Sequence, residues 1–163
     1  MIYPKIFILF LLIIGCSGTD QHDALRTYLI HDVGFSEGNL PSAIFVITED
    51  GCSMCEKAFA DLVRPRISCP QCLFLIRAEG RIINMEGLLS ETENIRFDYD
   101  RSFKKLGLLD GSGVVLLRKD KIDTVIPLRV HEIKPQLAYM AHLLDSISGS
   151  SATVTRARDD GTK

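Results

Sequence analysis

Ala43-Ile44-Phe45-Val46-Ile47-Thr48-Glu49-Asp50-Gly51-Cys52-Ser53-Met54-Cys55 is the stretch whose reading decides the fold. Its first six residues are apolar or β-branched without a break. A run of that kind, bounded by loop signals, reads as a central strand buried on both faces. After Gly51 the period changes. Cys55, Ala58, Phe59, Leu62 and Val63 recur at helical spacing until Pro65, where the missing N–H and the ring clash end a helix. A strand that passes into a helix through Gly-Cys-Ser-Met-Cys places Cys52 at a helix N-terminus and Cys55 one turn further in.

Upstream, Leu25, Leu29, Ile30 and Val33 give Asp23 to Val33 an amphipathic helical pattern that Gly34 stops, and residues 34–41 form a loop. Downstream, Leu73 to Arg77 reads as a second strand. Ile82 to Leu89 reads as helical despite Gly87, and Ile95 to Tyr99 alternates like a strand. Phe103 to Leu109 suits one or two helical turns. Gly111-Ser112-Gly113 breaks the chain before Val114 to Leu117, and Ile122 to Val130 is the other arm of a hairpin, placed toward an edge by Pro127. Ile133, Leu137, Met140 and Leu144 make Glu132 to Ile147 a closing helix. Phe45, Phe59, Phe74 and Tyr139 fall on apolar faces and are assigned to the core. The order predicts one α/β domain over residues 23–147, a central mixed sheet flanked by helices. A tail of Ser, Gly, Thr and charge over 148–163 is too polar to bury and is read as disordered.

The N-terminus has a different character. Met1 to Lys5 carries one positive charge, and Ile6 to Ile14 is an unbroken apolar run. As a helix that run spans about 14 Å, half of a hydrocarbon core about 30 Å thick, so an export signal fits better than a membrane span. Ile13-Ile14-Gly15-Cys16 resembles the bacterial lipobox. The resemblance implies cleavage after residue 15, a diacylglycerol on the Cys16 thiol, a tether over 16–22, and an extracytoplasmic chain held to a membrane by its lipid. By the same resemblance Ser17 favours the outer membrane facing the periplasm. The formal net charge of −2 and the absence of long like-charged runs give no indication of nucleic acid or of a polybasic membrane contact.

Strand, Gly-Cys-Ser-Met-Cys and helix, followed by Ile-Arg-Phe-Asp-Tyr-Asp, a short helix and Val-Val-Leu-Leu-Arg-Lys-Asp-Lys-Ile, resemble the thioredoxin-like superfamily over about Ala43 to Ile147. The closest likeness is to its membrane-tethered, peroxiredoxin-related branch. The resemblance implies a thioredoxin-like sandwich and a thiol-disulfide oxidoreductase in which Cys52 attacks and Cys55 resolves. It calls for no cofactor, and it implies partners among envelope proteins that carry thiols or disulfides. Two positions depart from the family: Gly51 stands where an aromatic residue is usual, and Ser112-Gly113 stands where a cis-proline precedes the strand.

The chemistry has its own basis in the residues. A thiolate is the nucleophile, and a helix N-terminus stabilises one through its dipole and free N–H groups. Cys55 lies near enough to Cys52 to displace a mixed disulfide. Glu49, Asp50 and Glu56 oppose this by adding negative charge. Cys69 and Cys72 run into a strand without dipole activation and are read as a structural disulfide. A rival reading gathers all four cysteines on one zinc ion. A helix from Cys55 to Arg64 would keep the two pairs about 15 Å apart, so the fold and a four-cysteine metal site exclude each other, and no metal is assigned. His22, His31, His131 and His142 are assigned to solvated surface, and Asp98, Asp100, Glu91 and Glu93 to a polar rim. The alternative to an enzyme is a binding or scaffold lipoprotein of the same fold, with both C-x-x-C pairs as staples.

Overall fold

A computed structural model of the chain describes residues 18–78, 80–84, 86, 88 and 94–156. The expected signal, Cys16 and the end of the tail from 157 to 163 lie outside the described residues. Five strands form one mixed sheet: β1 Ala43–Thr48, β2 Cys72–Arg77, β3 Ile95–Phe97, β4 Gly113–Arg118 and β5 Lys121–Pro127. Their order across the sheet is β3-β2-β1-β4-β5. β1 pairs in parallel with β2, and β2 with β3, while β4 runs antiparallel to both β1 and β5. The unbroken apolar run thus sits in the middle, and every residue of β1 is buried.

Side-chain alternation divides the core into two halves. Ala43, Phe45 and Ile47 face one side with Phe74, Ile76 and Val114, and there they meet α2 (Ser53–Val63) and α4 (Ile133–Arg156). Phe45 stacks on Phe74 at 5.4 Å and on Phe59 at 6.4 Å between ring centres. Ile44 and Val46 face the other side with Leu73, Leu75 and Val115, covered by α1 (Gly18–Thr27), the wide turn Tyr28–Asp32 and Phe103 of the short helix α3 (Ser102–Lys105). The result is a sheet between two helical layers. The uninterrupted run of β1 contributes to both halves, because successive side chains point to opposite faces.

Several expectations are corrected. The expected helix over 82–89 is not seen at its described positions, which are bends, turns or irregular. The Glu49 carboxylate accepts the N–H groups of Ile82 at 2.7 Å and Ile83 at 2.8 Å, and Asn84 Oδ1 accepts that of Glu86 at 2.9 Å. An Asn bonding two residues on holds a turn in place of a helix. The alternating segment narrows to Ile95–Phe97, since Asp98 turns away to serve α3. The described part of the first helix, Gly18–Thr27, takes in residues of the expected tether, and the described part of α4 takes in residues 148–156 of the expected tail. Extending a nucleated helix costs little per residue, which carries it through the polar sequence. Tyr139 is 52 % exposed on α4 rather than in the core. His22 is not simply solvated: its Nδ1 accepts the N–H of Ile122 at 3.0 Å and ties α1 to β5.

The hairpin closes as expected, with Lys119 and Asp120 both at positive φ, 52° and 62°. That pair suits the tight turn whose twist matches antiparallel strands.

Candidate functional site

β1 ends at Thr48, and the next four residues carry the chain to Cys52, which caps α2 in an extended conformation (φ −69°, ψ 114°). Its carbonyl already accepts the N–H of Glu56 at 2.9 Å, so the helix starts directly behind the cysteine. Cys55, in the first turn, is 6 % exposed, and its thiol donates to Cys52 Sγ at 2.8 Å. Cys52 is partly exposed.

The pairing separates the two thiols. The Cys55 thiol, with help from the Cys55 and Met54 N–H groups, holds the Cys52 thiol below its ordinary range. Donation to Cys52, burial and the Cys52 charge push Cys55 up to about 11. Charge on Glu56 acts against both thiolates, in the direction its position in the sequence suggested.

Glu56 is nearly fully buried, 3 % exposed, beneath the first turn. Ser112 donates its hydroxyl hydrogen to the Glu56 carboxylate in a short contact and accepts the Thr48 N–H at 2.9 Å. Burial pushes the Glu56 carboxyl above the usual range, and the Ser112 hydrogen bond only partly offsets this. Gly51 has a physical reason here. A Cβ on it would lie 2.6 Å from Glu56 Oε1, so an aromatic residue before Cys52 would displace the carboxylate. Gly113 is equally constrained, since its Cβ would fall 2.5 Å from the carbonyl of Ile126 across the hairpin. Sequence reasoning saw Ser112 only as a missing proline and Glu56 only as a charge. Their meeting has no local sequence signal, because Ser112 is 56 positions from Glu56.

No family model, curated protein or solved structure matches this chain.

Cys69 and Cys72 lie elsewhere. Cys72 opens β2 opposite Ala43, at the end of the parallel pair remote from Thr48 and Cys52. Five strand steps at about 3.3 Å separate those ends by about 16 Å, which rules out one tetrahedral centre for both pairs. Among the described residues no cluster of three or more His, Cys, Asp or Glu is arranged to hold a metal ion. The second pair is close, Sγ to Sγ 2.6 Å, and both residues are buried. Cys52, Cys55, Cys69 and Cys72 are not joined by disulfide bonds in this structure. Burial and the neighbouring Cys69 push the Cys72 thiol far above its ordinary range. A tight turn, Cys72 N–H to Cys69 carbonyl at 3.2 Å, closes the pair, and Asn94 Nδ2 donates to the Cys69 carbonyl at 3.0 Å.

Asp98 is not an open rim residue. It is 4 % exposed and accepts the Phe103 N–H at 3.1 Å at the start of α3. Glu91 and Glu93 lie outside the described residues. No described helix is long and apolar enough to cross a membrane.

Proposed function

We propose that the chain is a lipid-anchored envelope thiol-disulfide oxidoreductase of thioredoxin-like architecture, working through Cys52 and Cys55. The observation that carries this reading is the asymmetry of the pair: an accessible cysteine capping a helix, favoured as thiolate, in contact with a buried cysteine held as thiol. In the reducing direction the Cys52 thiolate attacks one sulfur of a substrate disulfide. A Cys52–substrate disulfide forms, and the other substrate sulfur leaves and takes a proton. Cys55 then loses its proton and attacks Cys52 Sγ, which releases the second substrate thiol and leaves a Cys52–Cys55 disulfide. The substrate gains two electrons and the pair loses two. A second dithiol partner restores the pair, or the whole sequence runs in reverse. Cys69 and Cys72 serve as a staple at the far end of the sheet.

A non-catalytic scaffold is the other reading. It draws on the Ser112–Glu56–Thr48 network, which fills the place before β4 where the family presents a substrate-contacting proline. Cys55→Ala decides between the two readings. In an oxidising compartment it is expected to trap Cys52 in a mixed disulfide that resists non-reducing gels and is lost on adding Cys52→Ser. In the reduced full chain Cys52 is expected to alkylate at least about tenfold faster than the other thiols at neutral pH, since thiolate fraction sets the rate. Equal, slow alkylation with no trapped partner removes the enzyme and leaves the scaffold.

A further inference from the structure

A cleft of about 290 Å³ opens at the C-terminal ends of the parallel strands, immediately before Gly51 and Cys52. Its charged lining is Glu49, Asp50, Arg77, Arg81, Asp98 and Arg101, with Tyr99 and Ile82 as its apolar walls. Three acids against three arginines leave the cleft near neutral in charge, but the acids' acceptor capacity is already engaged. Glu49 accepts the Ile82 and Ile83 N–H groups through Oε1, and that of Arg81 at 3.3 Å through Oε2. Asp50 pairs with Arg77 Nη2 at 2.8 Å and has Lys104 Nζ at 3.8 Å. Asp98 is turned to the Phe103 N–H.

The donors are in the opposite condition. The Arg77 side chain is 6 % exposed, and only its Nη2 is bonded, to Asp50 and to the Asp110 carbonyl at 3.0 Å. Its Nε and Nη1 are buried with no partner. Leaving donors of a charged group unmet in a protein interior is costly, and an anionic acceptor would relieve that cost. Arg101 stands at the rim, exposed, with no side-chain hydrogen bond or ion pair among the described residues. Its backbone is left-handed (φ 59°), which is unusual for a side-chain-bearing residue.

We infer that this cleft is a carboxylate-binding site, with Arg77 at its floor and Arg101 at its rim, and that it selects thiol or disulfide partners bearing an acidic group beside the reacting sulfur. The second half rests on the oxidoreductase reading. A carboxylate suits the site better than a phosphate for two reasons. A planar monoanion matches a guanidinium, and Glu49, Asp50 and Asp98 would repel a second negative charge. The cleft's size fits an amino-acid side chain or a chain terminus, whose carbon stem would lie along Ile82 and Tyr99.

The test observes the Arg77 and Arg101 Nε–H signals by nitrogen-15 NMR in the full chain, held in detergent, during titrations. N-acetyl-aspartate amide and N-acetylglycine are each expected to give saturable shifts, and the tighter of the two tells a side-chain acid from a chain terminus. N-acetyl-asparagine amide is expected to give none. No shift with either acid, equal shifts with the neutral amide, or tighter binding of inorganic phosphate would overturn the site. Arg101→Gly suits the left-handed backbone and is expected to weaken binding by about threefold, as for an exposed ion pair. Arg77→Met is expected to weaken it by more than about tenfold. If Arg77→Met does not fold, the Arg77 signal in Arg101→Gly carries the same test. Carboxylate binding with no trapped partner from Cys55→Ala keeps the site and removes the redox reading. Trapped partners without an acidic residue near the captured cysteine keep the redox reading and overturn the selectivity.

Discussion

Glu56 shows how much one residue's meaning depends on what it touches. In the sequence it reads only as a negative charge beside the cysteines. In the fold it is buried under Gly51 and bonded to Ser112. Its carboxyl therefore holds its proton more tightly in the folded than in the unfolded chain. The folded state binds more protons between the ordinary Glu range, about 4.3, and the raised value, so stability falls as pH rises through that window and is fully present below it. Glu56→Gln removes the slope. It is expected to match the parent near pH 4 and to be the more stable of the two at pH 7, read from chemical denaturation at both pH values. It should also make Cys52 alkylate at lower pH, because the opposing charge is gone. A variant less stable than the parent at pH 7 would mean that the carboxylate is favoured where it lies.

At the scale of elements, β1 and α2 were legible because an unbroken apolar run gives way to a helical period after Gly51. The hairpin was legible from the Gly111-Ser112-Gly113 break, the two apolar runs and the polar residues between them. Residues 82–89 misled for an identifiable reason. In the sequence Ile82, Met85 and Leu89 are spaced like a helix face, but Glu49, 34 positions from Ile83, captures the backbone N–H groups. A side chain from another element thus decided the local structure. The start of β2 carries its own prediction. With Cys69 and Cys72 both buried, Cys69→Ala/Cys72→Ala under oxidising conditions is expected to cost about 2 kcal/mol, the low end for a bridge closing so short a loop. Thermal unfolding with and without reductant measures this. Cys52 reactivity should be unchanged, since the pairs lie at opposite ends of the sheet. A loss of Cys52 reactivity in the double variant would mean that the two pairs communicate.

For the whole molecule, the lipid anchor is the largest claim that rests on sequence alone. Cys16→Ser is expected to leave an unprocessed, unlipidated precursor, visible as a slower band and as loss of metabolic labelling by a fatty acid. A mature-sized, membrane-bound Cys16→Ser chain would dismiss the anchor. No described helix is long and apolar enough to cross a membrane, and the proposed anchor would rest on residues before Gly18.

What the amino-acid order determined by itself was the alternation of strand and helix, the central place of Ala43–Thr48 and the position of Cys52 at a helix start. Each follows from periodicity and from Gly or Pro at a boundary, which are local properties. The tertiary structure alone decided that Ser112 would meet Glu56, that the two cysteine pairs would lie at opposite ends of one sheet, and that Arg77 would be buried with two donors unmet. Those are contacts between distant segments. They depend on strand order and register, and no local periodicity encodes either.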